Sequence, residues 1–320
     1  MTVLQKLLDR SAELPAEYRG GLTNHLPMAL HALQQLGAPD ARLSDFAARY
    51  ATRFGAMRAA VPAPRRLADW RVHRGDGDAF DALRAHFAAV LAEEGAAAVL
   101  TNALPSLWTG MAAAAFHGPI RAAHAVEIGH VGELATALAY WAARWQPVEA
   151  IPSSLPPIEF GAWFDRFVEA GASEAIDAPL ISASIAKASA TAPFRADAAC
   201  LTEPADPLGT LARAAARLYA ESRNFTVLHI VTATRAVRVL SAFAAPSGKA
   251  LWPAVGAALM AAQVTRREAV TGGSATWADV RAAAIDSDDD RVIKLVHACT
   301  EHAAHDPDAA FLDAARRAVS

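Results

Sequence analysis

Alanine-rich runs with apolar residues at three- and four-residue steps recur from one end of the chain to the other. Examples are DALRAHFAAVLAEEG at 81–95, LARAAARLYAES at 211–222 and DAAFLDAARRAV at 308–319. Alanine, leucine and arginine are strong helix formers, and this spacing lines apolar side chains along one helix face. The β-branched segment at 225–240 runs for sixteen residues without Gly or Pro, a length that favours a buried helix. We therefore predict an all-α fold.

Proline and glycine cluster in four stretches that predict connecting loops. They are VPAPRR at 61–66, HRGDGD at 73–78, QPVEAIPSSLPPIEFG at 146–161 and APFRADAACLTEPADPLG at 192–209. The third could separate two domains, but the sequence on both sides of it is equally helical and rich in alanine. We therefore predict a compact multi-helix single domain over residues 1–320, with long Pro/Gly-rich connecting loops.

Charge and composition argue against several partners and compartments. The chain has 30 Lys and Arg against 33 Asp and Glu, without the basic patch that nucleic acid or an anionic membrane would require. Its longest apolar runs, such as AVGAALMAA at 254–262, are shorter than the roughly 20 residues of a membrane span. The N-terminal segment predicts an amphipathic helix and not a signal peptide. Cys200 and Cys299 lack C-x-x-C spacing, so we expect a cytoplasmic protein without disulfides.

The segment AFHGPIRAAHAVEIGH contains three histidines, His117, His124 and His130. The Gly-Pro pair after His117 predicts a helix start there, and we expect one long helix to continue from it through residue 145. The seven-residue step from His117 to His124 is nearly two turns, so both imidazoles would project from one face. Glu127 and His130 would continue this stripe, and two imidazoles with a carboxylate suit non-haem iron or zinc.

Missing motifs exclude several other sites. Glu127-x-x-His130 matches the pair used by ferritin-like di-iron bundles, which need a second such pair, and the chain has none. It also has no His-Glu-x-x-His, no Gly-x-Ser-x-Gly, no Walker loop and no strand that leads into Gly-x-Gly-x-x-Gly. We therefore expect neither a di-iron centre nor a Rossmann-bound flavin or nicotinamide.

Four more polar residues lie in apolar helical surroundings. His25, in TNHLPMAL, either caps the helix that Pro27 starts or presents a ligand at its entrance. His229 lies within TVLHIVTAT, where an imidazole without a partner would cost stability. Lys294 and His297 are one turn apart in DDDRVIKLVHAC. A lysine there either extends its ammonium to solvent or, held in apolar surroundings, has a lowered pKa and becomes reactive.

Four segments of the chain resemble the questin oxidase-like family. They are residues 18–38, 115–129, 225–240 and 288–299, in order over nearly the whole length. The family is largely helical, and its named activity is the oxygen-dependent cleavage of an anthraquinone ring in polyketide pathways, formally a Baeyer–Villiger-type oxidation. It also includes proteins with a mononuclear non-haem iron held by histidines and a carboxylated lysine. The resemblance implies an oxygen-dependent oxidoreductase.

The resemblance also implies a set of metal ligands. They are the imidazoles of His25, His117 and His229, with Lys294 as the modified lysine. A carbamate formed from lysine and carbon dioxide is an oxygen donor equivalent to a carboxylate. Some members carry histidine where this chain has Arg121, Arg235 and Arg291, so the fourth imidazole is open between His124 and His297.

Catalytic and substrate roles follow from the same resemblance. Arg121 would orient a phenolate or carbonyl oxygen, or else is a surface arginine, and His124 is the second catalytic candidate. Trp108 and Trp141 would line an aromatic-binding wall or pack in the core. The implied cofactor is Fe(II) with O2 as co-substrate, and NADPH is left open as a reductant. The implied partner is a small hydrophobic aromatic or cyclic ketone substrate in an apolar core, and a homodimer is left open.

Two other functions account for the same histidines. In a cofactor-free oxygenase, they would act as general bases that deprotonate a phenolic substrate, whose carbanion then reacts with oxygen. In a non-catalytic helical ligand-binding protein, they would be structural. Replacing His117 and His229 would then lower stability without changing any metal content.

Overall fold

Helices dominate the fold, as predicted. A computed structural model describes residues 1–152, 155–176, 178–268 and 273–320. Its α-helices are α1 Val3–Ser11, α2 Leu26–Leu36, α3 Asp40–Ala51, α4 Phe80–Glu94, α5 Ala96–Trp108, α6 His117–Ile128, α7 Val131–Ala143, α8 Phe160–Ser173, α9 Ile181–Ser189, α10 Ala192–Asp197, α11 Pro207–Ser222, α12 Phe225–Leu240, α13 Gly248–Ala261, α14 Trp277–Asp286, α15 Asp290–His305 and α16 Ala309–Val319. One antiparallel hairpin, β1 Glu17–Tyr18 and β2 Leu22–Thr23, accompanies them. The all-α prediction is confirmed, and no helix in these ranges is long and apolar enough to cross a membrane.

Four helices, α2, α6, α12 and α15, form the central bundle of the fold. Each packs against two of the others, in the order α2, α6, α12, α15 and back to α2. Helix α7 covers α6 and packs against α4, while α11 and α16 cover α12 and α15. Buried alanines such as Ala122 and Ala236 let the backbones of the bundle approach closely. The hydrophobic core around the bundle includes residues from Leu4 to Ala318.

The long helix expected from His117 is broken, so that prediction is wrong. Helix α6 ends at Ile128, and the next residue, Gly129, has a φ of 67°. Glycine adopts this left-handed conformation without a Cβ clash, which ends a helix. His130 then caps α7, because its Nδ1 accepts the backbone N–H of Glu133 at 3.0 Å. His130 is therefore a capping residue and does not extend the stripe of α6.

Other boundaries follow the sequence more closely. Helix α12 has the predicted bounds, and Thr276 starts α14 with a capping box to Asp279. The prediction of a loop over residues 192–209 is wrong in part, because helix α10 forms within this stretch. Thr191 caps this helix, and Pro193 lies in its first turn, where proline needs no backbone donor.

Candidate active site

One cavity of about 890 Å³ lies at the N-terminal ends of all four helices of the central bundle. The β1–β2 hairpin and residues 178–182 line its other side. Pockets for small organic ligands have volumes of about 300–1,000 Å³, so the cavity has room for a polycyclic substrate. Four helix N-termini carry partial positive charge toward this space, which favours anionic groups within it.

Three imidazoles form the floor of the cavity, and we call His25, His117 and His229 the outer cluster. His25 precedes α2, His117 starts α6, and His229 lies one turn into α12. The rings of His25 and His117 stack with centroids 4.5 Å apart, and the ring of His229 meets that of His117 edge-on at 4.8 Å. The structure thus brings together the three imidazoles that were predicted as ligands.

Each imidazole of the outer cluster donates its Nδ1–H to an oxygen. The acceptors are a carboxylate oxygen of Asp290 for His25, the carbonyl of Ala114 for His117 at 2.6 Å, and the carbonyl of Phe225 for His229 at 2.8 Å. A carbonyl or carboxylate oxygen can only accept, so the proton lies on Nδ1 and each Nε2 keeps a free lone pair. This second contact on Nδ1 is typical of metal-binding histidines. Among the described residues, Nε2 of His117 is buried without a hydrogen-bond partner.

Burial keeps these imidazoles neutral. Burial, reinforced by the charge of Lys294, lowers the pKa of His229 to about 3. Burial and Lys294 also lower the pKa of His25 to about 4, although Asp290 opposes them. The pKa of His117 lies well below its usual value, mainly because of burial and then because of the two neighbouring imidazoles. Neutral imidazoles are suitable metal ligands at pH 7 and weak general bases.

Lys294 lies one helical turn beyond Asp290 on α15, behind the outer cluster. Its side chain is buried, and burial lowers its pKa to about 8 although Asp290 opposes the change. Within the described residues its ammonium has no carboxylate within ion-pair distance, because Asp290 instead binds His25 and, at 2.9 Å, Arg53. Burial alone would raise the pKa of Asp290, but His25, Lys294 and Arg53 hold it below its usual value.

A strained turn places His117. Ala114, Ala115 and Phe116 have φ values of 46°, 58° and 66°, three successive non-glycine residues in the left-handed region. Each such residue costs roughly 1–2 kcal/mol, and strain of this kind concentrates at functional sites. The turn directs the carbonyl of Ala114 at Nδ1 of His117, so it fixes the direction of that ring.

Relieving this strain should stabilise the fold. The Ala114→Gly variant is expected to raise the free energy of unfolding by about 1 kcal/mol, because glycine adopts positive φ freely. Ala113 is the matched control, since it lies in the same turn outside the left-handed region. Ala113→Gly should lower stability instead. Urea unfolding of both variants measures the difference, and equal shifts would contradict the strain.

A second group of imidazoles lies deeper in the bundle, and we call His31, His124 and His297 the inner cluster. The Nδ1 atoms of His31 and His124 are 2.8 Å apart. The His297 ring lies 5.6 Å from the His31 ring and 5.5 Å from the His124 ring, between centroids. His124 and His297 were candidates for the fourth imidazole beside Lys294, but the structure groups them with His31 and away from the cavity lining.

Donor spacing distinguishes the two clusters. Among the described residues, one group of three His, Cys, Asp or Glu donors lies within 4.8 Å of one another, and it consists of His31, His124 and Glu127. The imidazoles of the outer cluster contact each other, but their nitrogens do not all meet this limit. A shared ion in the outer cluster therefore requires the three rings to move closer together.

Arg121 does not lie in the cavity, where its predicted role of orienting a substrate oxygen would require it. Its guanidinium forms a two-point ion pair with Glu133, with Nε to Oε1 at 2.5 Å and a terminal nitrogen to Oε2 at 3.0 Å. Both side chains are about 2% exposed, and neither lines the cavity. This position favours a structural role for Arg121. Trp108 and Trp141 likewise pack edge to face in the core, as their alternative interpretation held.

Two residues that complete these clusters, Asp290 and His31, had no predicted role. Asp290 is four residues before Lys294, an i, i+4 spacing that could have indicated its position above the lysine. His31 lies in the apolar run PMALHAL, the same signal that singled out His229. The apolar surroundings expected for the substrate are found only in part, since charged side chains also line the cavity. They include Glu17, Arg53, Arg144, Asp290 and Arg291.

Buried neutral histidines should make the protein sensitive to acid. The pKa values of His25, His31, His229 and His302 are about 4, 3, 3 and 3, against about 6.5 in the unfolded chain. Below pH 6.5 the unfolded chain therefore binds protons that the folded chain does not, and stability falls as pH falls. Each of these histidines should lower the free energy of unfolding by about 1 kcal/mol between pH 7 and 5.5. Urea unfolding midpoints across this pH range measure the summed loss. A flat profile would contradict the burial of these rings.

A family model confirms the resemblance for part of the chain. The model of the questin oxidase-like family matches residues 22–174. We call residues 22–174 the questin oxidase-like segment because they match this family model. It contains His25 and His117 but ends before His229 and Lys294, whose place beside them rests on the geometry of the bundle. No curated protein matches the chain at a significant level.

The questin oxidase-like segment supplies half of the central bundle. Helices α2 and α6 lie within residues 22–174, whereas α12 and α15 lie after them. The strained turn before His117 and the glycine that ends α6 both fall inside the matched segment. The later helices complete both histidine clusters by contributing one imidazole to each.

Proposed function

We propose that the protein is an oxidoreductase that uses molecular oxygen on a hydrophobic cyclic ketone or quinone at a mononuclear non-haem iron. One observation carries the proposal: three imidazoles from three helices meet at the floor of the cavity, each with Nδ1 bonded to an oxygen and Nε2 free. The same arrangement is less suited to a cofactor-free oxygenase, because imidazoles with such low pKa values are weak bases.

The residues present fit an iron ion in their chemistry. The outer cluster would hold it through Nε2, and the partnerless Nε2 of His117 is the kind of buried atom that a metal satisfies. Ferrous iron, when bound, would supply a binding position for oxygen and the electrons that activate it. Asp290 would hold the His25 ring in its tautomer, as second contacts do in metal sites.

Lys294 would contribute an oxygen ligand after reaction with carbon dioxide. The neutral amine attacks the carbon of carbon dioxide, an N–C bond forms, and one proton leaves to give a carbamate anion. With a pKa of about 8, about a quarter of the lysine is neutral at pH 7.5. A carbamate also removes the positive charge that lowers the pKa of the outer cluster.

Arg291 is better placed than Arg121 to orient the substrate. It lines the cavity, and its guanidinium lies 4.2 Å from the centre of the Phe225 ring, which contacts His229. Within the described residues its side chain has no hydrogen bond or ion pair, so it is available for a phenolate or carbonyl oxygen. Phe225 would provide an apolar surface for an aromatic ring beside the outer cluster.

Removing this guanidinium should weaken substrate binding. Arg291→Gln is expected to raise KM for a hydroxyanthraquinone about tenfold with little change in kcat, the effect of losing one charge-assisted hydrogen bond. Arg195, an exposed arginine outside the cavity lining, is the matched control, and Arg195→Gln should leave KM unchanged. Steady-state oxygen uptake measures both, and an unchanged KM for Arg291→Gln would contradict the role.

Metal content and oxygen uptake test the proposed function together. Protein purified without a tag or chelator is analysed for metals, loaded anaerobically with ferrous iron, and assayed for oxygen uptake with hydroxyanthraquinones and cyclic ketones. Near-stoichiometric iron and uptake that a chelator abolishes are expected. Uptake without NADPH would indicate that the substrate itself supplies all the electrons that reduce oxygen, whereas dependence on NADPH would indicate that an external reductant supplies two of them. Metal-free uptake that chelators do not affect would overturn the proposal in favour of a cofactor-free oxygenase.

A further inference from the structure

The inner cluster lies in a part of the protein that the proposed reaction does not use. His31 and His124 are six and seven residues beyond His25 and His117 on the same elements. At 1.5 Å per residue the inner cluster is therefore roughly 10 Å farther along the bundle. None of its three imidazoles lines the cavity. Substrate and oxygen chemistry at the outer cluster thus leaves these rings unexplained.

Several polar atoms of the inner cluster are buried without partners. Within the described residues, Nε2 of His31 and both ring nitrogens of His297 make no hydrogen bond. A satisfied core histidine differs clearly: Nδ1 of His302 accepts from Arg238 at 2.7 Å, and its Nε2 donates to the carbonyl of Val231 at 3.1 Å. An unpaired buried polar atom costs about 1–3 kcal/mol, so a histidine with both ring nitrogens unpaired, such as His297, calls for a ligand.

Donor spacing in this region fits one ion. The Nδ1 atom of His31 is 2.8 Å from Nδ1 of His124 and 4.0 Å from a carboxylate oxygen of Glu127. Ligands at metal bonds of about 2.0–2.2 Å are separated by about 3–4.4 Å, so one ion could bind these three donors if the two imidazoles moved slightly apart and gave up the hydrogen bond between their Nδ1 atoms. The His297 ring contacts both imidazoles, but its nitrogens do not meet the 4.8 Å limit that the other three donors meet, so its ring has to move closer to provide a fourth donor.

Arg235 supports the carboxylate of this group. A terminal nitrogen of Arg235 lies 2.7 and 2.5 Å from the two oxygens of Glu127. Ligand carboxylates are commonly held by such a second contact. The Glu127 side chain is 27% exposed, which gives an ion a path from solvent, whereas the imidazoles are buried.

We propose that His31, His124, His297 and Glu127 form a second metal site, which binds a divalent ion of the zinc class. Three imidazoles and one carboxylate suit such an ion. Four protein ligands without an adjoining cavity describe a closed site, which is structural and not catalytic. The ion ties α2, α6 and α15 together, and His297 gains a partner that its two ring nitrogens otherwise lack. This site is separate from the proposed oxygen chemistry at the outer cluster.

Zinc stoichiometry tests the second site independently of the first. Full-length protein is stripped with a chelator and titrated with zinc chloride against a chromophoric competitor, with thermal unfolding as a second readout. Wild type is expected to bind two ions, His117→Gln one and His124→Gln one. His302→Gln is the matched control, since it replaces a buried histidine outside both clusters, and it should still bind two.

The outcomes separate the two sites. One ion that is lost in His117→Gln and retained in His124→Gln would overturn the second site and leave the proposed function intact. One ion that is lost only in His124→Gln would support the second site and count against the first. No tight binding at all would overturn both. If His124→Gln does not fold, Glu127→Gln serves instead, and an affinity reduced at least tenfold is expected. An unchanged affinity in Glu127→Gln would overturn the second site.

Discussion

His229→Gln should abolish the iron-dependent reaction. The variant is expected to retain less than about a tenth of the iron of wild type and to take up oxygen at least about 100-fold more slowly, because even second contacts of metal ligands are worth 10–100-fold. Glutamine keeps much of the size and polarity of histidine, but its amide nitrogen has no free lone pair that could bind a metal ion. Circular dichroism before the assay establishes that the variant is folded.

His302→Gln is the matched control for this loss. It also replaces a buried histidine by glutamine, but its two ring nitrogens already bind Arg238 and the carbonyl of Val231. Its iron content and turnover should equal those of wild type, with only stability reduced. A folded His229→Gln protein that keeps its iron would remove His229 from the site.

Glu133→Ala should be among the most destabilising substitutions in the protein. It would leave the guanidinium of Arg121 charged and buried without a counterion, which costs about 3–5 kcal/mol. Thr136, one turn along α7 and also buried, provides a comparison, since Thr136→Ala removes one hydroxyl and should cost about 1 kcal/mol. Urea unfolding at constant pH measures both variants.

A double variant separates the lost charge from the lost volume. Arg121→Met with Glu133→Leu removes both charges, and it should recover most of the stability that Glu133→Ala loses. Recovery to within about 1 kcal/mol of wild type is expected. A Glu133→Ala variant that loses less than 1 kcal/mol, or a double variant as unstable as the single one, would contradict a buried ion pair.

The helices of this protein can be predicted from sequence because their signals are local. The bounds of α12 follow from sixteen residues without Gly or Pro, and the start of α14 follows from a capping threonine. The break at Gly129 was missed, since an isolated glycine in a helical pattern is often tolerated. Its effect depends on His130, which caps the next helix.

The candidate site was predictable only in part. The family resemblance singled out His25, His117, His229 and Lys294, and the structure places the three imidazoles at the floor of one cavity with Lys294 behind them. The position of a histidine along its helix determines which cluster it joins. His124 shares a helix with His117 but lies two turns deeper, in the inner cluster. The partner of Arg121 could not be predicted, because Glu133 lies beyond a helix break that reverses the chain. The left-handed backbone conformation of the three residues before His117 could not be predicted either, because none of them is a glycine.

Anomalous X-ray diffraction at the iron absorption edge, on crystals of the ferrous-loaded protein, tests the central claim most directly. An iron peak is expected within about 2.2 Å of Nε2 of His25, His117 and His229, with additional density on Nζ of Lys294. Iron located elsewhere, or no iron peak at the outer cluster after loading, would contradict it.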